Sequence, residues 1–253
     1  NITTHTSLTI TGVGGCNKAW ITNTDNAFYG MEGASSPSSI SGLPSGCIDS
    51  DLYEPDTDIF VARYASTIDM APTASLSANT VYIKTSIGNS QEDKGEIFQG
   101  AHGSTINTLA DDFGIYNYKY AFELYYVRKC TEISNGKCLD DIPALIRLTL
   151  NDTELQEELV IEGAEQFQIE YGIDNDGDYI ADSFTKANSV LNWNSVVSSR
   201  FSLVIRGDRK DSMPDKNTYT LAGDYSFSPA TDDKYYKRRA YTKLVQLRNM
   251  TRI

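Results

Sequence analysis

The chain has very little histidine, and this scarcity excludes much of the usual catalytic chemistry. Only two of its 253 residues are histidine, His5 and His102. The chain therefore has too few histidines for a three-histidine zinc centre and almost no candidates for the histidine of a Ser-His-Asp triad. The motifs G-x-S-x-G and H-E-x-x-H and the Walker loop are also missing. Paired carboxylates for glycoside hydrolysis remain open, because acidic residues are plentiful and sequence spacing does not give their spatial distance. We expect a protein that is not an enzyme.

Long hydrophobic runs and positive charge are scarce too. No run of 18 apolar residues occurs, and no cleavable leader opens the chain at Asn1. We therefore expect either a mature secreted protein or an ectodomain cut from a membrane anchor. The 34 acidic residues outnumber the 22 basic ones and give a net charge of −12. A nucleic-acid backbone would be repelled by this charge, so we expect no nucleic-acid partner.

The four cysteines lack the close spacing of zinc ligands and fall into two sequence pairs, Cys16 with Cys47 and Cys130 with Cys138. The second pair brackets Asn135-Gly136, a dipeptide typical of hairpin turns. A disulfide there would close the tip of a hairpin and contribute about 2 to 3 kcal/mol. Disulfides indicate maturation outside the reducing cytosol, whereas reduced buried thiols are the alternative.

Aromatic residues and period-2 patterns predict a β-rich chain. Sixteen Tyr and nine Phe suit extended, half-exposed sheet surfaces. Alternating segments predict about eight strands in an antiparallel α+β or all-β fold, with a possible short helix near 105–113. We expect a single domain over 1–253, loop-rich and disulfide-tied over 1–50 and built of antiparallel sheet over 58–253. The clearest predicted strands are Ile59–Tyr64, Val81–Ser86, Tyr120–Lys129, Leu145–Leu150, Glu158–Ile173, Ser199–Arg206 and Ala240–Leu247.

The strongest local pattern is a strand that leads directly into an acidic loop. Phe167, Ile169, Tyr171 and Ile173 alternate with polar residues, which predicts one buried face. Carboxylates then follow at relative positions 1, 3, 5 and 9, with a glycine at position 4 for a tight bend. These four residues are Asp174, Asp176, Asp178 and Asp182.

This loop, 174–182, predicts a calcium site. Calcium is held by several oxygens at about 2.3 to 2.6 Å, and four close carboxylates would repel one another without a cation. We expect the four Asp side chains and the Ile180 carbonyl to be the ligands. The loop lacks the glutamate at position 12 of an EF-hand and is therefore shorter. A solvated acidic turn is the alternative.

Two other charged segments have simpler interpretations. The basic run Lys237–Arg239, beside several tyrosines, allows ligand stacking but more often marks a strand edge whose charges prevent aggregation. The acidic pair Asp140-Asp141 is interpreted as solvated turn residues.

Several segments, taken in order, resemble PilW-type minor pilins of type IV pilus systems. They are GVGGC at Gly12–Cys16, AFYG at Ala27–Gly30, the strand and acidic loop at Leu159–Asp182, WNSVVSSR at Trp193–Arg200 and the terminal YKRRAYTKLVQLRN from Tyr236. The acidic loop differs from many members, which have Asn and a further Gly where this chain has Asp176 and Tyr179.

This resemblance implies a pilin-like globular head of antiparallel sheets, with the family's long N-terminal helix largely absent from this chain. It implies a non-catalytic subunit of a small complex that primes pilus assembly near the pilus tip. The implied partners are other minor pilins, a tip adhesin, and the inner membrane through the N-terminal helix. The head would lie in the periplasm before assembly and in the extracellular pilus afterwards.

Two alternatives remain open at this stage. A J-type pseudopilin of type II secretion has the same architecture and would cap a secretion pseudopilus. A secreted calcium-dependent binding module or hydrolase for acidic or sugar ligands would instead need a deep pocket with convergent acids.

Overall fold

The structure, a computed structural model, describes residues 2–12, 14–86, 94–106, 109 and 115–247. It is β-rich, as predicted, and the predicted helix near 105–113 lies almost wholly outside these residues. Within them, none of the helices has the length and apolar character needed to cross a bilayer. The α-helix α1 spans Lys18–Ile21, and short 3-10 helices span Pro37–Ser39, Thr73–Ser75, Gly100–Thr105, Ala187–Ser189, Trp193–Ser195 and Ala222–Asp224.

The described residues contain sixteen strands, about twice the number predicted, because many are only two to five residues long. They are β1 (Ile2–Thr4), β2 (Phe28–Met31), β3 (Ile59–Ala71), β4 (Val81–Ser86), β5 (Gly95–Gln99), β6 (Ile115–Arg128), β7 (Ile133–Ser134), β8 (Lys137–Cys138), β9 (Ala144–Asn151), β10 (Glu154–Glu162), β11 (Ala164–Ile173), β12 (Ser183–Thr185), β13 (Val196–Lys210), β14 (Tyr219–Thr220), β15 (Ser226–Phe227) and β16 (Tyr236–Gln246).

Two sheets contain most of these strands. The larger has the order β1-β5-β4-β6-β3-β2, with β9 pairing with β6 and β10 pairing with β9. The smaller has the order β12-β11-β13-β16 and is antiparallel throughout. The predicted antiparallel sheets are thus confirmed, although β1 pairs with β5 in parallel.

The predicted strand Glu158–Ile173 is two strands, and Gly163 is the reason. Its φ of +76° lies in the left-handed region, which a residue with a side chain rarely adopts. A Cβ there would lie 2.3 Å from the carbonyl oxygen of Arg206, closer than atoms can pack. The chain therefore turns between β10 and β11, a break that alternation of apolar residues does not reveal.

The cysteine-bracketed hairpin forms as predicted. Cys130 and Cys138 are bonded, with their Cα atoms 5.6 Å apart, and Asn135 and Gly136 both have positive φ, 51° and 73°. Two positive φ values in succession define the type I′ turn that suits a tight hairpin. Cys16 and Cys47 are disulfide-bonded as well, and all four cysteines lie in the described residues with none free.

The chain divides into two compact units, each assembled from three stretches of sequence. The first comprises Asn1–Phe28, Val61–Leu124 and Leu148–Glu158. Its N-terminal stretch, predicted as mostly loop, contains β1 and α1 and is held by the buried Arg63. The Arg63 guanidinium donates to the backbone carbonyls of Trp20 at 2.8 Å and Ile21 at 3.0 Å and lies 4.9 Å from the centroid of the Trp20 indole.

The second unit comprises Tyr29–Phe60, Tyr125–Arg147 and Leu159–Ile253. Its core contains an aromatic cluster in which Phe201 of β13 packs edge-on against Phe60 and stacks on Phe167 of β11, with centroids 5.5 and 6.1 Å apart. Tyr171 and Trp193 form a further edge-on pair at 4.8 Å. This core fixes β11, the strand that leads into the acidic loop. The expectation of one domain stays a prediction.

Candidate metal centre

The strand before the acidic loop is buried on both faces, so the expectation of one buried face is wrong. Phe167, Ile169 and Tyr171 are buried as predicted, but Gln166 and Gln168 between them are each only 3% exposed. Hydrogen bonds make this burial tolerable. The Gln168 amide donates to the carbonyl of Asp56 at 2.8 Å and to the Gln166 side chain at 3.0 Å. Alternation of polar residues cannot reveal such internal pairing.

The acidic loop joins β11 to β12, and hydrogen bonds connect its two ends. The Asp182 amide donates to the Ile173 carbonyl at 2.8 Å, and the Asp182 carboxylate accepts from the Asn175 amide at 2.7 Å. Inside the loop, Gly177 has a φ of +83° and Tyr179 a φ of +68°. The predicted tight bend at Gly177 is therefore present, with a second left-handed residue two positions later.

Asp174 organises the backbone of the loop. One of its carboxylate oxygens accepts from the amides of Asp176 at 3.2 Å and Gly177 at 2.7 Å, and the other accepts from the amide of Tyr179 at 2.9 Å. Desolvation acts to raise the pKa of Asp174, but these amide donors outweigh it and hold the pKa below its usual value. The carboxylate is therefore kept ionised.

Three of the predicted ligands converge. Asp174, Asp176 and Asp182 offer carboxylate oxygens that all lie within 4.8 Å of one another. Asp178 is not part of this trio, and one of its carboxylate oxygens accepts from the Ile180 amide at 2.8 Å. As ligands, Asp178 and the Ile180 carbonyl stay predictions. The Ile180 side chain is 67% exposed and lies at the surface of the protein.

The donor set fits a hard divalent cation. Oxygens that surround calcium at about 2.3 to 2.6 Å lie at most about 5 Å from one another, and the 4.8 Å spread of the trio falls within that limit. Carboxylates at this spacing repel one another in the absence of a cation. The alternative is a solvated acidic turn. The hydrogen bonds from backbone amides to the carboxylates could stabilise such a turn without a cation.

A second acidic group was missed in the sequence, the buried Asp58 directly before β3. It is 3% exposed, and its carboxylate accepts from the amides of Gly33 at 2.9 Å and Ile169 at 2.8 Å. Burial, together with the nearby charge of Glu32, raises its pKa to about 7. Nothing in the surrounding sequence distinguishes Asp58 from an ordinary strand-flanking acid.

The basic run Lys237–Arg239 divides between two faces of β16. Arg238 points inward, where its guanidinium is fully buried and donates to both carboxylate oxygens of Glu165. Arg206 of β13 adds to this network by donating to Asp233 at 3.2 Å. The interpretation of the run as exposed edge charge holds for Lys237 and Arg239 and is wrong for Arg238. The available signal was that Arg238 lies two residues after Tyr236 and so shares the face of β16 on which Tyr236 is buried.

Asp140 is also more than a solvated turn residue. One carboxylate oxygen accepts from the amides of Thr131 at 3.0 Å and Ile142 at 2.9 Å. The other accepts from the Thr131 hydroxyl and the Glu132 amide, both at 2.8 Å. These four hydrogen bonds connect the two ends of the disulfide hairpin through Asp140. The interpretation of Asp140 as a solvated turn residue is therefore wrong.

Comparison with known proteins connects this region to one family. A family model described as Type IV Pilus-assembly protein W (PilW) matches residues 124–249, about half of the chain, including the acidic loop and β16. No curated protein and no solved structure shows significant similarity to the chain.

Proposed function

Because the chain belongs to the PilW family over residues 124–249, we propose that it is a non-catalytic minor pilin that primes type IV pilus assembly near the pilus tip. The family match carries this proposal, since it covers β11, β13 and β16, the three long strands of the smaller sheet. A role in type IV pilus assembly follows from the family itself. Priming and the position at the tip are the finer parts of the proposal.

The chemistry of the acidic loop supports a structural role. Its carboxylates accept hydrogen bonds from backbone amides, and the pKa of Asp174 is lowered. A general acid at neutral pH needs a raised pKa instead. Asp58 does have a raised pKa, but its side chain is buried and bonded to two backbone amides. Neither group is suited to act on a substrate.

The surroundings that we propose follow from the family and from the disulfides. Four oxidised cysteines suit a periplasmic and then extracellular head, because disulfides persist in oxidising compartments. The proposed partners are other minor pilins and a tip adhesin, with anchoring to the inner membrane through the N-terminal helix of the family.

We further propose that the acidic loop binds one calcium ion. Asp174, Asp176 and Asp182 would hold it, with Asp178 and the Ile180 carbonyl completing the set. The bound cation would supply charge neutralisation for the acidic side chains. The protein's own contribution is to join both ends of the loop, since Asp174 follows β11 and Asp182 precedes β12. The calcium would thus stiffen the connection between two paired strands.

The function is tested by deleting the gene in its own organism and complementing it in trans. We expect the deletion strain to lose most surface pili and twitching motility, and the wild-type gene to restore both. Electron microscopy and a motility assay provide the measurements. Unchanged piliation and twitching would overturn the priming role. Normal pili with lost secretion of type II substrates would instead support the J-type pseudopilin.

A further inference from the structure

The smaller sheet ends in a long strand whose outer edge is open. β16 pairs with β13 on one side and is the last strand of its sheet within the described residues. From Arg239 to Gln246 every side chain is exposed, although the strand includes Tyr241 at 52%, Leu244 at 53% and Val245 at 40% exposure. An open edge offers a row of unpaired N–H and C=O groups to another strand.

A second strand of the same chain has a comparable edge. β10 pairs with β9 alone among the strands of the described residues. Thr11 contacts only the first two residues of β10, through a bridge to Glu154 and a hydrogen bond of 2.9 Å from the Leu155 amide to the Thr11 carbonyl. Its exposed positions include Leu159 at 52% and Val160 at 44%. Two apolar, solvent-facing edges on one protein are unusual, since open edges are normally short or covered.

The two edges carry opposite charge. The exposed charges of β16 are Lys237, Arg239 and Lys243, and the strand has no acidic residue, whereas β10 contains Glu154, Glu157, Glu158 and Glu162 and no basic residue. Like charges placed directly opposite each other destabilise a strand pair, so the basic β16 is disfavoured against another β16 and favoured against β10.

The match extends to the individual positions. Exposed residues on one face of β10 follow the order Glu158, Val160, Glu162, and those on one face of β16 follow the order Arg239, Tyr241, Lys243. Glu158 and Glu162 lie two residues to either side of Val160, and the two cations lie two residues to either side of Tyr241. When Val160 is placed opposite Tyr241, each glutamate therefore lies opposite a cation. This holds for both strand directions, because each pattern is symmetric in charge about its centre.

We propose that β16 of one copy of this chain pairs with β10 of a second copy, with Tyr241 opposite Val160. The contact uses a different surface on each partner, so it is head-to-tail and leaves one edge open at either end of the assembly for further copies. The main-chain hydrogen bonds supply the pairing, and the flanking charges fix the register.

The test is self-association of the purified chain, followed by sedimentation at rising concentration and low salt. The wild type is expected to exceed the 28.0 kDa of one chain and to dissociate in about 1 M salt, where charge interactions are screened within about 3 Å. A wild type that remains monomeric at every concentration would overturn the proposal, even if β16 bound an acidic peptide.

Charge reversal gives the decisive comparison. The variant Arg239→Glu/Lys243→Glu and the variant Glu158→Lys/Glu162→Lys should each be monomeric alone. Mixed in equal amounts they should associate again, because the edges of one variant complement those of the other. Association of either variant alone, or failure of the mixture, would overturn the pairing. Circular dichroism verifies that each variant is folded, and Glu132→Lys/Lys216→Glu, with exposed charges outside both strands, serves as the control that should associate normally.

A second measurement does not depend on the charge variants. In the variant Val160→Cys/Tyr241→Cys, mild oxidation should produce a ladder of disulfide-linked multimers on a non-reducing gel. The variant Val160→Cys/Leu244→Cys, in which the second cysteine lies three residues away on the opposite face of β16, should give at least tenfold less. Equal ladders from both variants, or none from either, would contradict the register.

Discussion

Arg238 and Glu165 form a buried, bidentate ion pair between β16 and the start of β11. The Arg238 side chain is 0% exposed and that of Glu165 is 11% exposed. The Nε and Nη2 atoms of Arg238 each donate a hydrogen bond to one oxygen of the Glu165 carboxylate. Burial acts to lower the pKa of Arg238, but the hydrogen bond and charge of Glu165 outweigh it and raise that pKa. The Arg238 guanidinium is therefore charged within the fold.

Removal of this arginine should be costly, whereas its neighbour should be dispensable. Arg238→Met leaves Glu165 without its main cation in a buried setting, and loss of one partner of a buried pair costs about 3 to 5 kcal/mol. Arg239→Met, one residue away on the exposed face, should change the free energy of unfolding by less than about 0.5 kcal/mol. Urea unfolding followed by fluorescence provides the measurement. Equal losses in the two variants would show that the burial of Arg238 is irrelevant.

Stability should fall as pH rises toward neutrality because of Asp58. Its pKa is raised from 3.8 to about 7 in the folded chain, so its contribution is complete below about pH 4 and is lost as pH rises through about 7. The loss is at most about 4 kcal/mol, from three pKa units at about 1.36 kcal/mol each.

The variant Asp58→Asn isolates this contribution. It cannot ionise but keeps an oxygen acceptor, so the difference in melting temperature between wild type and variant should change between pH 4 and 8. Glu54, whose pKa is also raised to about 7 by burial, remains in both proteins and cancels from the comparison. A constant difference across this range would refute the assignment to Asp58.

Asp140 should stabilise the disulfide hairpin more than its neighbour does. Asp140→Ala removes four hydrogen bonds to a charged acceptor, and we expect a loss of about 2 kcal/mol. Asp141→Ala is the matched control, because that side chain is exposed.

The contribution of Asp140 to stability should depend on pH. Desolvation raises the pKa of Asp140 and the hydrogen bonds lower it, and the net shift is downward. The contribution of Asp140 to the free energy of unfolding is thus present above the pKa that Asp140 has in the unfolded chain. It is lost as pH falls through the lower pKa of the folded chain. Chemical denaturation at pH 7 and pH 3 tests both statements.

Calcium should raise the melting temperature of the wild type and leave Asp176→Asn unaffected. Asp176 belongs to the converging trio, and its replacement by the neutral isostere removes one anionic ligand with little change in shape. Asp208→Asn, an exposed acid on β13, should respond to calcium as the wild type does. Calorimetry with calcium and then with a chelator measures binding directly. No heat with the wild type would exclude the site.

The fold class followed from the sequence, whereas several details did not. Alternation located β4 and the cores of β6, β13 and β16, because a strand with one apolar face has a period that the sequence displays. It failed at Gln166 and Gln168, where buried amides pair with one another, and at Gly163, where close approach of a carbonyl forces a turn. Such contacts depend on residues distant in sequence.

The candidate site was located by its spacing but not by its geometry. The order of acids in 174–182 indicated a loop with converging carboxylates, and Asp174, Asp176 and Asp182 do converge. Asp178 is not part of this group, and its carboxylate accepts from the Ile180 amide instead, which spacing alone cannot predict. Arg238 and Asp58 were missed because their burial arises only when distant strands assemble.

The discontinuous make-up of each unit has a consequence for synthesis and export. The second unit needs Tyr29–Phe60 as well as its last stretch, and its long strand β16 begins only at Tyr236. The smaller sheet therefore cannot be completed until almost the full length of the chain has emerged, and chains dominated by such distant pairings fold slowly. Expression of 124–249 alone should yield an aggregating fragment, because the stretch that defines the family is not a folding unit.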